Sequence, residues 1–127
     1  MAGYAALYDA CVLYPAPLRD FLLQLAGTGL FRARWSDDIQ AEWTRNVLAS
    51  RPDIAPEQLE RTCQLMDAAV PDARVRGYAK LIPTLSLPDP DDRHVLAAAI
   101  RGRCDVIVTF NLKDFPPAVL AEDDIEV

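Results

Sequence analysis

Six acidic side chains mark the places where this chain of 127 residues could do chemistry: Asp9, Glu42, Asp89, Asp91, Asp92 and Asp114. Three of them fall within four residues at the head of the stretch LPDPDDRHVLAAAIRGRCDVIVTFNLKDF, which runs from Leu87 to Phe115. Acids at a helix N-terminus cap free N–H groups and suit the positive end of the dipole. A cap accounts for one such acid, or two. It leaves unexplained the acid after the next strand and Asp9 after the first. Carboxylates that converge repel one another, by roughly 4 kcal/mol for a pair about 4 Å apart at an effective dielectric near 20. Such a cluster calls for a cation, and all-oxygen donors suit hard ions such as Mg²⁺ or Mn²⁺. Two ions roughly 3.5–4 Å apart activate water and stabilise the departing oxygen of a phosphodiester. The acids are therefore expected to serve metal-dependent phosphodiester hydrolysis.

The elements that must position them follow from the pattern. Tyr4 to Tyr8 is a short, nearly continuous apolar run, as in a central parallel strand buried on both faces. Asp9 follows it directly, where open α/β sheets place their ligands; an Asx turn or helix cap is the plainer alternative. Pro15 and Pro17 fit a helix start, with Leu18, Phe21, Leu22 and Leu25 at helical spacing. Leu30 to Trp35 alternates like a strand. Ser36 is a good N-cap, with Asp37 and Asp38 in the first turn of a helix whose apolar stripe is Ile39, Trp43 and Val47. Glu42 flanks that stripe, either as a site acid or as a solvated residue paired with Arg45.

A polar linker, Arg51 to Ala55, leads to a helix from Pro56 with the face Leu59, Cys63, Met66 and Val70. Arg74 to Leu85 reads poorly beyond a helical turn at Tyr78 to Ile82. The acid cluster, an apolar helix from Val95 and a strand from Val106 follow. Pro116 and Pro117 open a short turn or helix, and Ile125 to Val127 reads as an edge strand. This order predicts an α/β fold: one domain over 1–127, with a parallel four- to five-stranded sheet and helices on both faces.

Composition sets the bounds. An apolar content of 51% supports a hydrophobic core, and no run approaches the roughly 18 residues that span a bilayer. The segment MAGYAALYDA lacks the basic flank of a secretion signal, so a soluble cytoplasmic protein is expected. Cys11, Cys63 and Cys104 are odd in number, without CxxC spacing and in apolar contexts, as reduced buried thiols are. One histidine, His94, argues against structural zinc. It reads as a partly exposed structural residue rather than a general base. The net charge of -6 speaks against a nucleic-acid partner unless several of the acids form one metal pocket.

Four ordered motifs together resemble the PIN-domain family: Leu7-Tyr8-Asp9-Ala10-Cys11-Val12-Leu13; Ser36-Asp37-Asp38-Ile39-Gln40-Ala41-Glu42; Pro88-Asp89-Pro90-Asp91-Asp92-Arg93-His94-Val95-Leu96-Ala97-Ala98-Ala99; and Val108-Thr109-Phe110-Asn111-Leu112-Lys113-Asp114-Phe115. The resemblance covers nearly the whole chain. It implies a Rossmann-like sheet and a metal-dependent endoribonuclease, many relatives being toxins of VapBC-type toxin–antitoxin pairs. It also implies one or two Mg²⁺ or Mn²⁺ ions, an RNA substrate, a cognate antitoxin and a homodimer, with Trp35 or Trp43 exposed on the dimer face. Asp9 matches the first family acid, Glu42 the second and Asp92 the third, with Asp89 and Asp91 as auxiliary ligands. At the fourth position this chain has Asn111 where many relatives have aspartate, which leaves Asp114 or a water-bridged Asn111 to fill the role. Thr109, Arg93 and Lys113, with Arg19 and Arg45, are candidates for substrate contact.

Rival readings come from other classes. Thr109 with Lys113 resembles a receiver-type signalling domain, but that fold wants an acidic pair after its first strand, and Asp9 is alone. A phosphatase of the haloacid dehalogenase type needs a second acid at Cys11. A catalytically silent PIN-like binding module stays open because of Asn111.

Overall fold

The protein is described by a computed structural model covering residues 3–127; Met1 and Ala2, the head of the segment read for a secretion signal, lie outside the described residues. The first strand, β1 (Ala5–Tyr8), is buried at every position. It pairs in parallel with β2 (Arg32–Arg34) on one side and β3 (Val106–Val108) on the other, giving the order β2-β1-β3. Leu7 sits opposite Arg34 and Ile107 in that register. A strand flanked on both edges and covered on both faces has no wet side, which is why its sequence is continuously apolar.

The expected four- to five-stranded sheet has three strands. Its outer positions are held by single parallel bridges, Trp35 to Arg74 and Val106 to Glu126. Val75 N–H donates to Trp35 O at 2.8 Å, and Ile107 N–H donates to Glu126 O at 2.9 Å. Each outer segment is short because the chain turns beside it. Gly77 has φ of 75° just after the first, and Asp124 has φ of 56° just before the second. The Ile125 to Val127 edge strand is thus reduced to one bridged residue.

The helices are α1 (Ala10–Leu13), α2 (Ala16–Ala26), α3 (Asp37–Ser50), α4 (Pro56–Ala69), α5 (Arg93–Arg101) and α6 (Pro117–Ala121), with tight 3₁₀ turns at Ala79–Thr84, Pro90–Asp92 and Leu112–Asp114. Ser36 caps α3 as expected, its Oγ accepting from Ile39 N–H at 3.1 Å. The stripe Ile39, Trp43 and Val47 is buried. On α2 only Leu22 of the expected stripe is fully buried, and Phe21 is exposed.

Both tryptophans are wholly buried, which corrects the expectation that Trp35 or Trp43 lies on an exposed dimer face. The reason is local. Trp43 sits in the core stripe of α3, and its indole N–H donates to Gln40 Oε1 inside the same helix. Trp35 stacks near Tyr8, and its N–H donates to Asp67 Oδ1 at 3.0 Å. Large amphipathic rings can be buried when their one polar atom finds a partner. Arg19 lies 4.4 Å over the Trp43 ring and donates to Leu13 O at 2.7 Å, closing the C-terminal end of α1. That guanidinium is therefore engaged in the fold rather than turned out toward a phosphate.

On α5, Val95, Leu96, Ala97, Ala98 and Ala99 are all buried, the small residues letting the helix lie close to its neighbours. Gly102 ends it at an ordinary φ of -80°, so crowding rather than backbone conformation requires the glycine. A Cβ there would stand 2.8 Å from Val75 Cγ2 and 2.9 Å from Ala98 O. No helix among the described residues is long and apolar enough to cross a membrane. The Gly102→Ala variant is expected to lose about 1–3 kcal/mol of stability, read from urea unfolding with an unchanged slope. A variant as stable as the parent would show that the Val75 contact yields freely.

Candidate active site

Asp9 is the first residue past the central strand, and it is 3% exposed. Its N–H donates to Val108 O at 3.0 Å, carrying the β1–β3 pairing one residue further. Both carboxylate oxygens are held. Ala10 N–H donates to Oδ1 at 2.7 Å, which makes Asp9 the N-cap of α1, and Thr109 Oγ1 donates to Oδ2 at 2.8 Å from the end of β3. Cys11 Sγ lies 3.7 Å from the same Oδ2. The cap and the site acid are one residue. Burial pushes its carboxyl above the usual carboxylate range, and the hydrogen bonds from Thr109 and Ala10 offset part of that rise.

The second wall comes from α3. Asp38, Ala41, Glu42, Arg45 and Asn46 lie three and four residues apart, so they share one helical face. They face Asp89, Asp91, Asp92 and His94 across a cleft of about 650 Å³. His94 joins the walls, its Nε2 lying 3.2 Å from Glu42 Oε1. Glu42 is thus paired across the cleft with His94, not along the helix with Arg45. Burial pulls the imidazole pKa down, but the hydrogen bond and charge of Glu42, helped by Asp38 and Asp9, outweigh it and leave His94 raised. Its Nδ1 is buried without a partner.

Asp92 is where the acids register one another. It is half-buried at the end of the Pro90–Asp92 turn, and its carboxyl is pushed up to about 7. Burial is the largest cause, followed by the charges of Asp9, Asp89, Asp114 and Glu42. Those four groups come from the end of β1, the loop before α5, the turn after β3 and the middle of α3. The fold therefore brings together Asp9, Glu42, Asp89, Asp92 and Asp114.

The other expected residues are placed differently. Asp89 Oδ1 accepts from Asp91 N–H at 2.9 Å, so it also caps the turn, and Asp91 is exposed. Asn111 is exposed, with its backbone N–H donating to Thr109 Oγ1 at 3.0 Å, whereas Asp114 is half-buried. The Thr109 hydroxyl is engaged with Asp9. Arg93 folds back onto Pro90 O at 3.1 Å, and Lys113 is exposed. The sequence reading passed over Asp38 and Asn46 as cleft-lining residues and treated His94 as merely structural. A helical count from Glu42 along α3 would have found the first two.

A hard cation fits the chemistry of this donor set, because the cluster is all carboxylate and its charges already disfavour ionisation of Asp92. Among the described residues, no three histidine, cysteine, aspartate or glutamate groups stand close enough to enclose an ion as they are. Mutually repelling carboxylates rest apart, and side-chain rotation is what would bring them onto an ion.

Residues 5–113 match the family model for the PIN domain. The chain belongs to the PIN-domain family. Membership replaces the receiver-type and phosphatase alternatives. VapC50 of Mycobacterium tuberculosis, named as a candidate ribonuclease, is 54% identical over 44 residues, which is 35% of this chain and 25% of that protein. The match thus spans about a quarter of the curated relative's length. The crystal structure of VapBC2 from Rickettsia felis, bound to a DNA fragment from their promoter, shares the fold over 97% of both chains with a TM-score of 0.59 and 16% identity.

The raised groups fix the sign of a pH effect. A folded carboxyl titrating above its unfolded value holds a proton the unfolded chain would release, so its contribution to stability is present below pH 3.8 and is lost as pH rises through about 7 for Asp92. Asp9 acts in the same sense. His94, raised above 6.5, contributes stability below that value and loses it as pH rises through its folded value. Without metal, the thermal midpoint is therefore expected to fall between about pH 5.5 and pH 8, and Asp92→Asn to flatten that fall. A midpoint that climbs over the same range would contradict the coupling of these acids.

Proposed function

We propose that this PIN-domain protein is a metal-dependent endoribonuclease that hydrolyses RNA phosphodiester bonds, acting as the toxin of a toxin–antitoxin pair. The observation that carries the reading is the placement of Asp9, Glu42, Asp89, Asp92 and Asp114 around one cleft at the end of the sheet, where burial first and then the charges of the other four push Asp92 up to about 7. Such a concentration of negative charge is costly unless a cation shares it. The local similarity to VapC50 and the fold shared with VapBC2 support the toxin assignment.

In this reading Asp9 and Asp92 hold the first ion, Glu42 ligates it or orients its water, and Asp114 holds a second, weaker one. Bound Mg²⁺ or Mn²⁺ would supply an activated water and offset charge on the scissile phosphate. The chain's own residues set up that chemistry. Thr109 and Ala10 N–H fix the Asp9 carboxylate, and Oδ1, which accepts from Ala10 N–H, keeps a lone pair for a ligand. His94 fixes Glu42 from across the cleft, as an outer partner orients a ligand. Arg45, which lines the cleft, is placed to meet a substrate phosphate; Lys113 stands exposed just before Asp114. A partner antitoxin would quench the same negative cleft most directly with a basic side chain. Homodimer formation and action in the cytoplasm belong to the same proposal.

The test is cleavage of labelled RNAs with Mg²⁺ or Mn²⁺, against EDTA and purified Asp9→Asn and Asp92→Asn. Loss of an outer partner costs roughly 10- to 100-fold, so these two variants are expected to lose more than 100-fold and His94→Gln to fall within that range. Cleavage that persists in Asp92→Asn would remove that residue from the metal site. Tight Mn²⁺ binding with no cleavage of any RNA would favour a silent binding module.

A further inference from the structure

We infer that Phe110 is a stacking platform for an unpaired nucleobase of the substrate, beside the acidic site. The inference rests on the hydrolytic reading of the cleft given above. Phe110 follows Thr109, whose hydroxyl donates to Asp9. Its own N–H donates to Cys11 Sγ at 3.3 Å, and the next N–H, of Asn111, returns to Thr109 Oγ1 at 3.0 Å. Three consecutive residues are thus tied to the surroundings of Asp9, and the backbone beneath the Phe110 ring is anchored. The ring itself is 64% exposed.

The same loop buries a second aromatic ring completely, Phe115, so leaving Phe110 in water is not a shortage of core. Leu112 is exposed beside it, and Lys113 adds a cation for a neighbouring phosphate. Other exposed large apolar residues, Tyr4, Tyr14, Phe21, Leu30 and Leu65, lie ahead of β1, just after α1, on α2, in the loop before β2 and on α4. A single exposed apolar residue carries no meaning by itself. Here the ring is aromatic, rigidly mounted, and one residue from the group that holds the site's most buried carboxylate.

A base fits this ring better than a peptide does, on two grounds. Every base has a π face, so stacking needs no particular sequence, and a ring on an anchored backbone gives up little freedom in making it. Lys113, exposed three residues on, supplies positive charge for a phosphate next to the stacked base. Bases inside a duplex are already stacked on both sides, so only an unpaired base can reach the ring.

The test is fluorescence anisotropy with a labelled single-stranded RNA, its duplex, and the same strand carrying abasic positions. Turnover is prevented by using Asp92→Asn as the parent for every variant. Phe110→Ala is expected to bind the single strand about 5- to 150-fold more weakly, as loss of one stacked base does. Phe110→Trp should keep or tighten binding, whereas Phe110→Leu, which keeps apolar bulk without the π face, should resemble Phe110→Ala. Duplex and abasic strands should bind both proteins alike. Equal single-strand affinity for the parent and Phe110→Ala overturns the inference, and so does an equal loss on duplex. A Phe110→Ala effect confined to a protein partner would make the ring a protein contact and overturn it too. RNA cleaved by the native protein and by the single variant Phe110→Ala with the same KM refutes stacking alone. RNA that binds none of the proteins refutes stacking and hydrolysis together.

Discussion

The site depends on one carboxylate held where water scarcely reaches. Asp9 ends the central strand, begins α1 and receives the Thr109 hydroxyl from the end of β3, so a single side chain joins three elements. Its burial is unfavourable for a charge, and the two strong hydrogen bonds are what make an ionisable group tolerable there. The rest of the sheet serves that placement. β1 is short, apolar on both faces and paired on both edges, which fixes the direction in which the chain delivers Asp9.

Around Asp9 the fold gathers more negative charge than it can neutralise from within. His94 partners Glu42, and Arg74 pairs bidentately with Asp37, while Tyr78 donates to Asp38 at 2.6 Å. Those contacts settle the acids on the outer part of α3. Among the described residues no ion pair involves Asp9, Asp92 or Asp114, and burial together with the neighbouring acids raises Asp92. Cations elsewhere are deployed away from the cluster. Arg32, Arg34, Arg74 and Arg76 line a separate groove, where Arg34 donates to Gly102 O at the far end of α5. The overall charge of -6 is a sum over different local environments, and a net value alone says little about whether phosphate can approach one part of the surface.

Much of this could be read from sequence wherever local physics decides. The apolar run at Tyr4 to Tyr8, the Ser36 cap and the Ile39-Trp43-Val47 stripe each follow from a propensity or a period that tertiary structure leaves intact. What could not be read depends on partners distant in the chain. Trp43 looks available for an interface until Gln40 and Arg19 are seen to satisfy its polar atom and its face. Glu42 looks equally suited to Arg45, three residues on, and to a partner in another element; only the tertiary placement of His94 3.2 Å from its Oε1 decides between them. The outer strands failed for a related reason, since whether an extended segment pairs over one residue or four is set by the turns that end it.

The loop after β3 shows how a departure in sequence can be absorbed by geometry. The family resemblance led to the expectation of an acid at Asn111, whose side chain is exposed, and the group whose charge acts on Asp92 from this loop is Asp114. The Leu112–Asp114 turn closes immediately after Asn111, with Asp114 N–H donating to Asn111 O at 3.0 Å. One tight turn carries the chain back toward the sheet, which places Asp114 half-buried and within electrostatic reach of Asp92, and Phe115 beyond it pins the turn in the core. On the reading proposed here, the charge expected at Asn111 is supplied three residues later, by Asp114. The fourth acid is then defined by where the backbone returns, not by its place in the motif. The exchange lets Asn111 face solvent beside Phe110, where an uncharged side chain repels an approaching phosphate less than an aspartate would.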